Sequence, residues 1–156
     1  MKLLYFIGLI FVSFACYGNS KLISGDNEVG AILSNGKEIS LQLVIAKPTE
    51  NACEGWRWGA ENECPRQIIK KLIVFVANEK LFIPRSAFAD LGNPERYTVI
   101  TNSKGFDLYI YGGDAATSYI AKLRFSNNKI KARKVESGEN SESAWEEIKF
   151  SFSDME

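Results

Sequence analysis

Short runs in which apolar and polar residues alternate follow one another along this chain, and none sustains the 3.6-residue period of a helix. Val29 to Leu33, Asn35-Gly36 and Ile39 to Ala46 read as a hairpin, since Asn-Gly suits the two positive-φ positions of a type I′ turn. In the second strand Ile39, Leu41, Leu43 and Ile45 alternate with Ser40, Gln42 and Val44, which buries one face and leaves the other partly wet. Leu72 to Ala77 is an unbroken apolar run and predicts a central strand. Asn78-Glu79-Lys80 turns the chain and Leu81 to Ile83 returns, ending at Pro84, which has no N–H to give a ladder. Residues 86–91 predict one short helix, with Ser86 as its N-cap, Gly92 just past its end and Pro94 as a stop.

The rest is a meander. Tyr97 to Thr101 reads as a strand, followed by a turn at 102–105. Phe106, Leu108 and Ile110 then alternate with Asp107, Tyr109 and Tyr111. After the loop at Gly112-Gly113-Asp114, Tyr119, Ala121, Leu123 and Phe125 face one way and Lys122 and Arg124 the other. Asn127-Asn128 is a tight turn. Residues 129–136 are a polar, basic strand of the kind that protects a sheet edge. A polar loop at 137–143 leads to Ala144 to Phe152, with Ile148, Phe150 and Phe152 inward. The tally is about nine short strands at hairpin spacing without βαβ alternation, which predicts an all-β class, an antiparallel sandwich or barrel.

Two stretches break the pattern. At the start, Lys2 precedes an apolar run from Leu3 to Phe14, and the small residues Ala15, Cys16 and Gly18 follow. This is the layout of a secretory signal peptide, 1–18, with cleavage after Ala15 or Gly18. The run is too short for a permanent span, which takes about 20 residues, so the mature chain carries no transmembrane segment. Cys16 offers an alternative, a lipid anchor on an exported protein. Residues 19–28 are polar and read as a flexible lead-in to a single domain at 29–153, working in the periplasm or outside the cell.

The second stretch, Lys47 to Arg66, holds Pro48, Gly55, Gly59, Pro65, Cys53 and Cys64. Once Cys16 leaves with the signal, two cysteines remain, and an even count in an exported protein argues for a disulfide. Closing so short a loop stabilises the fold by about 3 kcal/mol in the chain-entropy model.

Charge and composition narrow the function mainly by exclusion. Formal net charge is zero over the full length, without the basic excess of a nucleic-acid binder. The chain has no histidine, the commonest general base and metal ligand, so no Ser-His or Cys-His nucleophile can form. With both remaining cysteines paired, zinc and copper lose their usual ligands, and no phosphate-cradling glycine motif occurs; neither metal nor cofactor is implied. A glycosidase would need only two carboxylates roughly 5 to 9.5 Å apart. The candidates are Asp90, Asp107, Asp114, Glu146 and Glu147, and none sits in a motif, so the chain reads as non-enzymatic.

Two aromatic clusters remain. The stapled loop carries Trp56, Arg57 and Trp58, residue types that dominate binding hot spots, held where a disulfide lowers the entropy cost of binding. A second group comprises Tyr97, Tyr109, Tyr111, Tyr119 and Trp145, with Tyr109 and Tyr111 on the face that carries Asp107. The first suits another protein of the cell envelope; the second, with Tyr109, Tyr111 and Trp145, suits a glycan or envelope ligand. In size, export signal, disulfide and β content the chain resembles the small exported β-domains of bacteria that act as inhibitors or immunity proteins, periplasmic lysozyme inhibitors among them. That resemblance implies a cell-envelope hydrolase or toxin as partner and carries over no residue roles.

Overall fold

The computed structural model describes residues 18–49, 53, 57–60, 63–140 and 144–152. The segment read as an export signal, up to residue 17, and Trp56 lie outside the described residues. The strands are β1 (Gly18–Lys21), β2 (Gly25–Ile32), β3 (Glu38–Ala46), β4 (Ile68–Val76), β5 (Glu79–Lys80), β6 (Pro94–Asn102), β7 (Gly105–Gly112), β8 (Tyr119–Ser126), β9 (Lys129–Ser137) and β10 (Ala144–Lys149). They form two antiparallel sheets, β1-β6-β7-β8-β9-β10 and β2-β3-β4-β5. The expected all-β fold is therefore present, in the sandwich form.

The alternation dictates the core. From the smaller sheet Ile39, Leu41, Leu43, Ile45, Val74 and Val76 turn inward; from the larger, Val99, Phe106, Leu108, Ile110, Leu123 and Phe125 do the same. Phe106 and Phe125 stack across β7 and β8 with ring centres 4.5 Å apart. Truncating any one of the fully buried leucines to alanine removes transfer energy and leaves a cavity, at a cost of about 2–5 kcal/mol.

Several local expectations are corrected. Residues 19–28, read as a flexible lead-in, hold β1 and the start of β2. The backbone of β1 pairs with β6 from Gly18↔Val99 to Lys21↔Arg96. Leu22 is buried, and its N–H donates to the Glu95 carbonyl at 2.7 Å. The buried Asn27 braces the turn between β1 and β2. It accepts from the Ile23 N–H at 2.9 Å and donates to the Ile23 and Leu43 carbonyls at 2.8 and 3.2 Å. Backbone pairing and one satisfied amide do there what apolar side chains do elsewhere, so polarity hid the strands.

The β2–β3 turn is not type I′. Only Gly36 takes positive φ, at 80°, and Leu33 N–H bonds the Lys37 carbonyl at 2.8 Å around a three-residue loop. Two-residue turns with both central φ positive occur instead at Ala77-Asn78 and Asn127-Asn128. The short helix expected near 86–91 is one 3-10 turn, Arg85–Ala87, preceded by Pro84 at its N-cap rather than Ser86. Finally, β9 is not an edge: it lies between β8 and β10, and its inward Arg133 is neutralised as described below.

Ala77 holds φ of 50° in its turn, a conformation that costs a residue with a Cβ about 1–2 kcal/mol. Asparagine tolerates it far better, as Asn127 does in the β8–β9 turn. Ala77→Asn is expected to raise the unfolding free energy by about 1 kcal/mol, read as a higher urea midpoint at unchanged slope.

Candidate functional site

The descending end of the stapled loop docks on the segment that follows the 3-10 turn. Trp58 N–H donates to the Asp90 carbonyl at 2.9 Å, and Gly92 N–H donates to the Trp58 carbonyl at 2.8 Å, a short parallel bridge. Asn93 completes the clamp with its side chain. Its Nδ2 donates to the Gly59 carbonyl at 2.8 Å, and its Oδ1 accepts from Arg66 N–H at 2.7 Å. Beneath them lies the fully buried Tyr119, whose hydroxyl donates to the Gly92 carbonyl at 3.1 Å. Gly59 and Gly112 must be glycine here, because a Cβ on either would sit 2.7 or 2.5 Å from Tyr119. The Cys53–Cys64 disulfide expected from the sequence closes the loop.

This clamp presents Trp58 to β10. The Trp58 and Trp145 rings stack with centres 5.3 Å apart and planes inclined by 12°. Trp58 is half-buried against the core, whereas Trp145 is 43% exposed, so one indole forms the floor and the other the open surface. Arg57 is half-buried, and its guanidinium donates to the Ala89 carbonyl.

Arg133, 1% exposed, holds the elements beneath the stack together. It grips Asp90 with two hydrogen bonds of 2.8 Å and donates to the Ser86 carbonyl at 2.6 Å. Its Nε faces Glu146 Oε1 of β10 at 3.2 Å. One guanidinium thereby ties β9 to β10 and to the 86–90 segment, the two supports of the tryptophan pair. Bidentate, charge-assisted bonds of this kind are the strongest available to an arginine. Two of the five carboxylates considered for catalysis, Asp90 and Glu146, are thus counter-charges to Arg133.

The tyrosines divide. Tyr97 and Tyr119 are core residues. Tyr109 and Tyr111 are half-buried on the outer face of the larger sheet, and Trp145, grouped with them by sequence, belongs to the stack with Trp58 instead. Arg96 lies over the Tyr111 ring at 4.2 Å and Lys122 over Tyr109 at 5.1 Å. Asp107 is held by Lys122 at 2.9 Å and Arg124 at 3.6 Å. Burial disfavours the Lys122 ammonium, but its bonds to Tyr109 and Asp107 outweigh that and hold its pKa above the ordinary lysine value. Asp114 pairs with Arg66 at the surface, 3.4 Å away, and closes a capping box with Thr117. Glu147 is exposed. Among the described residues no group of three or more His, Cys, Asp or Glu side chains is placed to hold a metal ion, and no helix is long and apolar enough to cross a membrane.

Sequence reasoning missed Arg133 and Asn93. Arg133 shares the inward parity of Val135, the one signal available, and Asn93 looks like an ordinary turn residue before Pro94.

Replacing Arg133 by methionine leaves Asp90 and Glu146 without their shared counter-charge. Because those carboxylates keep about a third of their exposure, the cost falls at the low end for a broken buried pair, about 3 kcal/mol. Urea unfolding measures it, and the near-ultraviolet dichroism of the tryptophan pair is expected to weaken in the same variant. Tyr119 supplies a pH test. Burial first, and the Asp90 charge second, push its phenol far above the ordinary tyrosine value of about 10. Its contribution is therefore complete below pH 10 and lost above it, as the unfolded phenol ionises and the folded one cannot. Tyrosinate absorbance is expected to rise together with unfolding in alkali, and Tyr119→Phe to remove that coupled step.

Compared with known proteins, the chain matches no family model, no curated protein and no solved structure.

Proposed function

We propose that this chain is an exported, non-enzymatic protein-binding module whose contact surface centres on the Trp145–Trp58 stack, with Arg57 beside it. The supporting observation is the stack itself, an open indole lying on a second indole fixed by a disulfide-closed loop and by a clamp of two backbone bonds and two Asn93 side-chain bonds. Tryptophan and arginine are residue types that anchor binding hot spots, and a surface ordered before the encounter loses less entropy on binding. Another protein of the cell envelope is the partner class this favours. An inhibitor or immunity relationship to a hydrolase or toxin is its most specific form. The glycan alternative would rely on Tyr109 and Tyr111, with Trp145. The cations over both tyrosine rings would have to leave before a sugar could stack, which puts protein recognition ahead.

The test is a pull-down from envelope extract with residues 18–156, which keeps β1 whole, followed by mass spectrometry. One stoichiometric partner is expected. Trp145→Ala should weaken its binding by at least about 1 kcal/mol, roughly fivefold, with unchanged far-ultraviolet dichroism. Full affinity in both Trp145→Ala and Trp58→Ala would refute the site. Retention of glycan without protein would transfer the function to the tyrosine face.

A further inference from the structure

The smaller sheet has an incomplete edge. β5 pairs with β4 only at Phe75↔Lys80 and Val76↔Glu79, and Leu81 N–H adds one bond to the Val74 carbonyl at 2.8 Å. Beyond it the chain peels away toward Pro84, which has no N–H to offer. At the far end of β4, Ile68 bridges Gly92. Between these points the outer side of β4 makes no backbone hydrogen bond among the described residues. The result is a groove of about 490 Å³ between β4 and the 81–88 segment.

Its chemistry is one-sided. Lys70, Lys71, Lys80 and Arg85 line it, all exposed, and no carboxylate does. None of the four forms an ion pair among the described residues. The nearest acid in sequence, Glu79, accepts a hydrogen bond from Asn128 instead. The floor is apolar, Leu72 and Leu81, and the rim carries Phe82, 71% exposed with its ring edge-on to Phe152 at 6.0 Å. An open strand edge, an apolar floor and four uncompensated cations are the parts of a strand-addition site.

We propose that this groove binds an extended acidic peptide of a partner protein, added as a strand to β4, with carboxylates meeting the four cations and one apolar side chain resting beside Phe82. The open stretch admits about 17 Å of strand. A second copy of this chain is a poor occupant, since antiparallel β4–β4 pairing would set Lys70 and Lys71 against their own counterparts. The inference does not depend on the tryptophan platform, which lies on β10 and the stapled loop.

Fluorescence polarisation with a labelled peptide of alternating glutamate and valine, carrying one central phenylalanine, tests it on the chain from residue 18 onward. Saturable binding is expected. It should fall about tenfold or more in the Lys70→Glu/Lys71→Glu double variant, and fall in Phe82→Ala, both sites being solvent-exposed and compatible with folding. A version with proline at alternate valines should bind far more weakly, because it cannot donate to the ladder. Trp145→Ala should leave the affinity unchanged. Equal binding of a lysine-valine peptide, or no binding at all, would overturn the proposal and assign the lysines to blocking unwanted strand pairing. Binding that appears only after residues 153–156 are removed would make the chain's own acidic end the occupant and overturn it too. So would a concentration-dependent dimer that excludes the peptide. Loss in Trp145→Ala would overturn a separate site.

Discussion

A guanidinium turned toward the interior of a β-sandwich must meet its counter-charges there, or the sheets cannot close over it. Arg133 meets that demand with Asp90 and Glu146, and the solution organises one flank of the molecule. Desolvating an arginine costs several kcal/mol, and the pairing must offset this with good geometry. The bidentate grip on Asp90 provides it, and in doing so fixes the segment from Ser86 to Asp90 against β9. Trp58 then hangs from the Asp90 carbonyl and Trp145 sits next to Glu146, so one charged contact governs both rings of the stack.

Much of the fold was legible because it rests on period-two burial. Ile39 to Ile45, Phe106 to Ile110 and Tyr119 to Phe125 carry their inward faces openly, and the parity argument holds for each. The pattern failed where backbone or polar contacts replace apolar burial. β1 is held by its ladder to β6 and β2 is anchored by the buried Asn27, neither of which writes a hydrophobic stripe. β9 looked like an edge because lysines flank it, although the lysines face outward and its interior charge is paired.

The candidate site was half legible. Trp58 and Trp145 were each singled out, yet placed in different clusters, because contact between residues so distant in the chain depends on the Asp90–Gly92 bridge and the arginine beneath it. Tyr109 and Tyr111 do share a face, as parity required. What parity could not convey is that Lys122 and Arg96 fold back over them, a matter of cross-strand neighbours: Lys122 lies opposite Tyr109, and Arg96 opposite Tyr111.

The strand order also sets a timetable. The smaller sheet uses only β2 to β5, all of which leave the ribosome before any of β6 to β10 does. Its inner face, with Leu41, Leu43 and Val74, is built early and stays uncovered until the second sheet arrives. β1 waits longer still, since its one neighbour, β6, lies beyond the whole of that sheet in the chain. Nascent chains therefore pass through a stage with a finished apolar surface and an unpaired leading strand. In that interval, more than in the folded state, this protein is exposed to aggregation and depends on whatever shields emerging chains.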